Sequence, residues 1–193
     1  MKNNQNISAR EGYLAEEVIM TNTQAVIKGG LCSLPFLLIL GMGYRFLLLD
    51  RAVLLDISGV KFPILFLVII AAVTVMHELL HGIGWAVAGG RGWSSVRFQI
   101  SGMMPVCACS AELKKKQYLA GVLAPFVILG TGSVLFLLLY PGTVSILVMI
   151  SVFGGTGADL LIALHVMKED SQTCISDHPE KAGYTAYKKR NGV

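Results

Sequence analysis

Four long apolar runs leave this chain few folds to choose from. They cover about residues 29–49, 62–88, 118–140 and 145–167. Each reaches the roughly 20 residues that an α-helix needs to cross a ~30 Å hydrocarbon core. The expectation is an all-α polytopic membrane protein of four transmembrane helices. Composition agrees, with 54% hydrophobic and 15% charged residues against about 45–50% and about 25% in soluble domains. Residues 1–28 read as an amino-terminal arm, 29–167 as the membrane domain and 168–193 as a tail. The first run is long for a signal-peptide core and no small-residue cleavage site follows it, so it reads as a retained span.

Lys and Arg orient the bundle. The arm carries Lys2, Arg10 and Lys28. The loop after the second run carries Arg91, Arg97, Lys114, Lys115 and Lys116, and the tail carries Lys168, Lys181, Lys188, Lys189 and Arg190. Only Arg45, Arg51 and Lys61 fall on the other side. By the positive-inside rule both termini are expected in the cytoplasm, in a plasma membrane of bacterial style. A net charge of +4, dispersed in this way, does not argue for nucleic acid as a partner. The lipid bilayer and a membrane-protein or peptide substrate are the expected ones.

The loop between the second and third runs holds "SVRFQI" and "PVCAC" around "SGMM", which reads as a small β-hairpin over about 96–109. The four cysteines do not form a disulfide-framework spacing, and Cys32 reads as a small hydrophobe in its apolar run. Trp85, Trp93, Tyr118 and Tyr140 read as interfacial belt residues. Lys114, Lys115 and Lys116 read as an anchor against anionic headgroups.

The second run ends in "VMHELLHGIGW". Two histidines and a glutamate are costly in hydrocarbon, and ionisable residues there mark function by default. His77 and His81, at i and i+4, share a helix face and can ligate one zinc ion. Glu78 is rotated about 100° from His77, so it can reach a zinc-activated water as its general base. That division of roles is the reason H-E-x-x-H marks metallopeptidases.

A catalytic zinc usually takes three protein ligands. Asp159, in "FGGTGADLLIAL", is the best candidate for the third. His81 lies ten residues before Arg91 and Asp159 nine before Lys168. At about 1.5 Å per residue both sit about 14–15 Å inward from their basic flanks. Gly154, Gly155 and Gly157 would let the helices approach closely. The competing reading pairs Asp159 with a cation or a backbone group. Cys107 and Cys109 share a strand face and read as ordinary strand residues before metal ligands. His165 reads as interfacial and Glu112 as solvated. Asp177 and His178, in "SDHPEKAGY", could fold back over the site.

These features together resemble the zincin-type membrane peptidases grouped as a domain of unknown function, relatives of the site-2 protease clan. The resemblance rests on H-E-x-x-H in one span, "VCACSAELKKKQYLAGVLAP" leading into the next, and G-A-D in the last. It implies zinc held by His77, His81 and Asp159, with Glu78 as base. It also implies hydrolysis of peptide bonds within or near a substrate's transmembrane segment, the substrate docking in extended form on a strand such as the 96–109 hairpin. Leu80 stands where many site-2 proteases have glycine, and "GGTGAD" where they have Asn and Pro before the aspartate. The oxyanion-stabilising residue is therefore unassigned. The alternative function is a non-catalytic, zinc-stabilised membrane module that binds a partner protein. A metal transporter fits less well, because the strongly polar residues concentrate at one depth.

Overall fold

The computed structural model describes residues 2–3, 13–55, 59–101, 104–178 and 181–189. Arg10 and Arg190 of the charge count, and the hairpin turn at 102–103, lie outside the described residues. Among the described residues, four helical segments are long and apolar enough to cross a membrane: Thr23–Arg51, Lys61–Ala88, Lys115–Leu139 and Thr143–Met167. Within them run α1 (Asn22–Gly43), α2 (Lys61–Ala88), α3 (Lys115–Leu139), α4 (Thr143–Gly155) and α5 (Gly157–Met167).

The first helix begins earlier than its apolar run. Thr21 and Gln24 form a capping box: the Thr21 hydroxyl accepts from Gln24 N at 3.2 Å, and Gln24 Oε1 accepts from Thr21 N at 3.4 Å. Two otherwise unpaired amide donors are thereby satisfied, and the helix starts six residues before the last polar turn ends. The fourth segment is broken at Thr156, between α4 and α5. Here Gly157 presses on α1. A Cβ at Gly157 would meet Gly29 O at 2.0 Å, and one at Gly29 would meet Ala158 N at 2.8 Å. By contrast, Gly154 and Gly155 have nothing within 4 Å, so of the three small residues only Gly157 serves close packing.

The hairpin is present as β3 (Val96–Ser101) and β4 (Met104–Cys109), antiparallel, with Phe98 opposite Cys107. Gly82 of α2 makes room for it, since a Cβ there would touch Phe98 and Trp93 at 3.0 Å.

The arm and tail are not mere polar extensions. Strands β1 (Lys2–Asn3), β2 (Tyr13–Met20), β5 (Leu113–Lys114), β6 (Cys174–Asp177) and β7 (Ala182–Lys189) form a second, antiparallel sheet in the order β1-β2-β7-β6-β5. The two ends of the chain pair along its centre, Tyr13 opposite Lys189 and Met20 opposite Ala182. An ion cluster fastens them: Lys188 Nζ lies 2.7 Å from Glu16 and 2.8 Å from Glu169.

Two apolar cores follow. One packs the sheet onto one end of the helices through Val18, Trp85, Tyr118, Val166, Ile175 and Tyr184. The other, around Leu48, Leu137, Met149 and Phe153, fills the opposite end. Lys115 joins the sheet end too, and its role is more specific than that of a headgroup anchor. Its ammonium donates to Met167 O and Glu169 O, both at 2.7 Å, which satisfies carbonyls at the C-terminal end of α5.

Candidate metal centre

His77 and His81 sit one turn apart on α2 and face Asp159 in the first turn of α5. His77 Nε2 is 3.1 Å from His81 Nε2. Asp159 Oδ2 is 3.0 Å from His77 Nε2, and Oδ1 is 3.5 Å from His81 Nε2. Ligands 2.0–2.2 Å from a tetrahedral ion are separated by about 3.3 Å, so the three groups already have the spacing of three corners around one zinc. They are also the one His/Cys/Asp/Glu group among the described residues close enough to hold a metal ion.

The proton inventory points the same way. His81 Nδ1 lies 3.0 Å from Gly121 O. A carbonyl can only accept, so Nδ1 carries the hydrogen and a neutral His81 turns a lone pair at Nε2 towards its partners. Asp159 Oδ2 is buried and finds no hydrogen bond despite its nearness to His77. With His81 neutral, two acceptors converge with at most one hydrogen from His77 to share. A divalent cation satisfies all three groups, and the residues present fit zinc.

Close packing of α2 on α3 holds this arrangement. Trp85 stacks on His81 at 5.3 Å and 16°, and its Nε1 donates to Tyr118 O at 3.2 Å. Trp85 and Tyr118 are 2% and 0% exposed, so they are core residues, unlike the belt residues expected from sequence. Their rings fill the joint between helices and sheet. Trp93 and Tyr140 are exposed, as a belt requires.

Glu78 lies beside the cluster, half-buried, and its Oε2 accepts from the backbone N–H of Cys107 at 2.6 Å. A cavity of about 200 Å³ opens on Glu78, His81 and Asp159. Its other walls include Gln99 and Cys107 on the hairpin, Tyr118 on α3, and Asp177, His178 and Lys181 from the tail. The tail therefore does return over the site. Tyr118 donates its hydroxyl hydrogen to Asp177 Oδ1 at 2.8 Å. Burial pushes the Asp177 carboxyl up to about 7, the Tyr118 hydrogen bond opposing the rise. Burial likewise pushes the Cys107 thiol up to about 12, aided by the negative charge of Glu78. A thiol held protonated is a poor metal ligand, and neither Cys107 nor Cys109 joins the metal group.

His165 stands apart, its Nδ1 bonded to Leu161 O of its own helix at 2.8 Å. Glu112 does not line the cavity. Gln99 and Tyr118 were not legible as cavity residues, because an isolated Gln on a short strand and a Tyr at a helix start carry no motif.

Helices of membrane-crossing length, joined to a sheet around a buried His–His–Asp cluster with an adjacent glutamate, define a helical-bundle protein with a metallopeptidase-type centre. The chain belongs to the family described as "Putative zincin peptidase", whose family model matches residues 59–174. That range contains His77, Glu78, His81 and Asp159 and ends before Asp177. The description names a zinc metallopeptidase, and zinc is the metal it implies. No curated protein and no solved structure matches the chain.

Proposed function

We propose that this protein is an integral-membrane zinc metallopeptidase that hydrolyses peptide bonds in or near the transmembrane segments of its substrates, in the manner of site-2 proteases. The observation that carries the reading is the convergence of two Nε2 atoms and one carboxylate at 3.0–3.5 Å, with Glu78 beside them on the same cavity.

Membrane embedding is supported by the outward faces of the helices, where Ile39, Leu67, Val68 and Leu138 are 54–70% exposed. Apolar surface on that scale has no place in water. Pairing of β2 with β7 is consistent with both termini on one side, and the Lys and Arg distribution favours the cytoplasmic side. The metal centre would then lie inside the bilayer boundary, near that surface.

His77, His81 and Asp159 would hold zinc, which when bound supplies Lewis acidity to a water and to the scissile carbonyl. Glu78 takes a proton from the attacking water and delivers it to the departing amide nitrogen. Its anchor on Cys107 N–H fixes the carboxylate through Oε2, leaving Oε1 for the proton. The outward edge of β4 offers backbone groups to an extended substrate. A helical carbonyl is poorly accessible to attack, so spans that unwind readily, bearing glycine or proline, should be preferred.

The test uses the zinc-loaded protein in lipid nanodiscs, with reporter spans bearing either glycine or only leucine at the centre. Glu78→Gln should keep one zinc per chain and lose about 10²–10⁴ in cleavage rate. The competing reading is a zinc-stabilised module that binds a partner, in which the Glu78–Cys107 bond is purely architectural. Full function in Glu78→Gln would establish that reading, and equal cleavage of both reporters would remove the unwinding argument.

A further inference from the structure

The cavity has a property that the peptidase reading does not use. Ser110 N donates to Ser95 O across the hairpin at 2.9 Å, and Pro105 has no N–H. The even-numbered residues of β4 therefore point their backbone groups at β3, and Pro105, Cys107 and Cys109 point theirs outward. Only Cys107 and Cys109 can offer outward N–H donors to an incoming strand.

Both donors face carboxylates. Cys107 N–H is bound by Glu78 at 2.6 Å, and Cys109 N–H lies against the carboxyl of Asp177. The two carboxylates come from distant parts of the chain, one on α2 and the other on β6. They stand where two alternate carbonyls of an added strand would bind.

We infer that the substrate-docking edge of β4 is held closed by the carboxy-terminal tail, with Asp177 as the latch and Tyr118 as its keeper. The inference rests on the peptidase reading for what docks there and adds how access is regulated. Tyr118 is fully buried and its hydroxyl holds Asp177 Oδ1 at 2.8 Å, so the latch is positioned from the bundle. Beside it, His178 Nδ1 accepts from Lys181 N at 3.0 Å, and both residues line the cavity. Withdrawal of the Asp177 end of β6 from β4, with the rest of the sheet staying in place, opens the cavity and frees Cys109 N–H in one movement. Glu78, which stays on its helix, then meets a substrate strand at an edge where one donor is already available.

A latch of one charge-assisted hydrogen bond lowers the open fraction, and with it apparent affinity, about tenfold. The experiment uses the full-length, zinc-loaded protein in nanodiscs, with Cys32→Ser and Cys174→Ser to simplify labelling. Maleimide modification of Cys107, located by peptide mass mapping, reads access to the cavity. Cleavage of fluorescein-casein, an unfolded chain that needs no unwinding, reads function. Asp177→Ala should raise both rates about tenfold, and Asp177→Asn, which keeps an acceptor, should stay near wild type. Tyr118→Phe leaves the carboxyl in place but removes its keeper, and should raise both rates by a smaller factor should the alanine variant fail to fold. Unchanged Cys107 labelling in the folded variants overturns the latch. So does cleavage that fails to rise in a protein that cleaves. Faster labelling with no cleavage by any form, wild type included, leaves the latch standing and removes the peptidase.

Discussion

Consider Gly121→Ala. A Cβ at this position would lie 2.0 Å from Cδ1 and 2.2 Å from Nε1 of Trp85. Ordinary contact begins at 3.4 Å, so the indole or the whole of α3 must retreat by roughly 1.4 Å. Trp85 cannot swing freely, because its Nε1 is bonded to Tyr118 O and its face is stacked on His81. Gly121 also supplies the carbonyl that orients His81 at 3.0 Å. Zinc sites tolerate about ±0.2 Å in ligand distance, so transmission of even a seventh of that retreat to His81 spoils the geometry. Loss of such an orienting contact typically costs 10–100-fold in metal affinity, and overpacking about 1–3 kcal/mol in stability. The assay is competitive zinc titration against a chelating dye, beside thermal unfolding of the zinc-free protein. Gly132→Ala is the control, being on the same helix with nothing within 4 Å. It should bind zinc like wild type and gain up to about 1 kcal/mol from helix propensity. If Gly121→Ala binds zinc within twofold of wild type, the Trp85–His81 stack does not carry strain to the metal, and the reasoning is wrong.

Other perturbations reach different parts of the same structure. Asp159→Ala should lower zinc affinity by at least about 10² while leaving the sheet's strand content intact; a stoichiometric zinc content at micromolar free metal would remove Asp159 from the ligand set. Gly157→Ala would place a Cβ 2.0 Å from Gly29 O, and should cost about 1–3 kcal/mol in denaturant unfolding, with Gly154→Ala near neutral as its partner control. The Asp177 carboxyl is pushed from 3.8 up to about 7 by burial. A raised folded value means that its contribution to stability is complete below its unfolded value near 4 and is lost as pH rises through about 7. The zinc-stripped protein should therefore melt lower at pH 8 than at pH 6, and Asp177→Asn should flatten that difference; an unchanged slope in the Asn variant would place the titration elsewhere.

The helical part of the fold is legible because its signals are local. Runs of some twenty apolar residues need no knowledge of the remote chain, and the two strands of the hairpin are separated by a few residues only. The second sheet is illegible for the opposite reason. Its central pairing joins Tyr13 to Lys189 and Met20 to Ala182, across nearly the whole chain. The strands themselves alternate poorly: β7 reads AGYTAYKK, with three tyrosine or threonine side chains among small and basic ones. A nearer signal was present in the arm, where T-x-x-Q before an apolar run marks a helix start. It would have moved the first helix back to residue 22 and left Tyr13–Met20 as a separate extended segment.

The same contrast runs through the site. The pairing of His77 with His81 follows from helix pitch, and equal distance from the basic flanks on two apolar runs favours the meeting with Asp159. Both are one-dimensional arguments, so they survive without coordinates. The far wall of the cavity does not reduce to depth or pitch. Asp177 reaches it only because β6 is fixed between β5 and β7, and β7 in turn is fixed by the arm. A third acidic group therefore faces a cluster that already includes Glu78 and Asp159, and burial alone would not tolerate it there as a permanent anion. Its hydrogen bond from Tyr118 and its raised titration point are what the sheet's packing demands of it. The part of the chain that sequence periodicity treats as least structured thus sets the polarity of the space in which a substrate would have to lie.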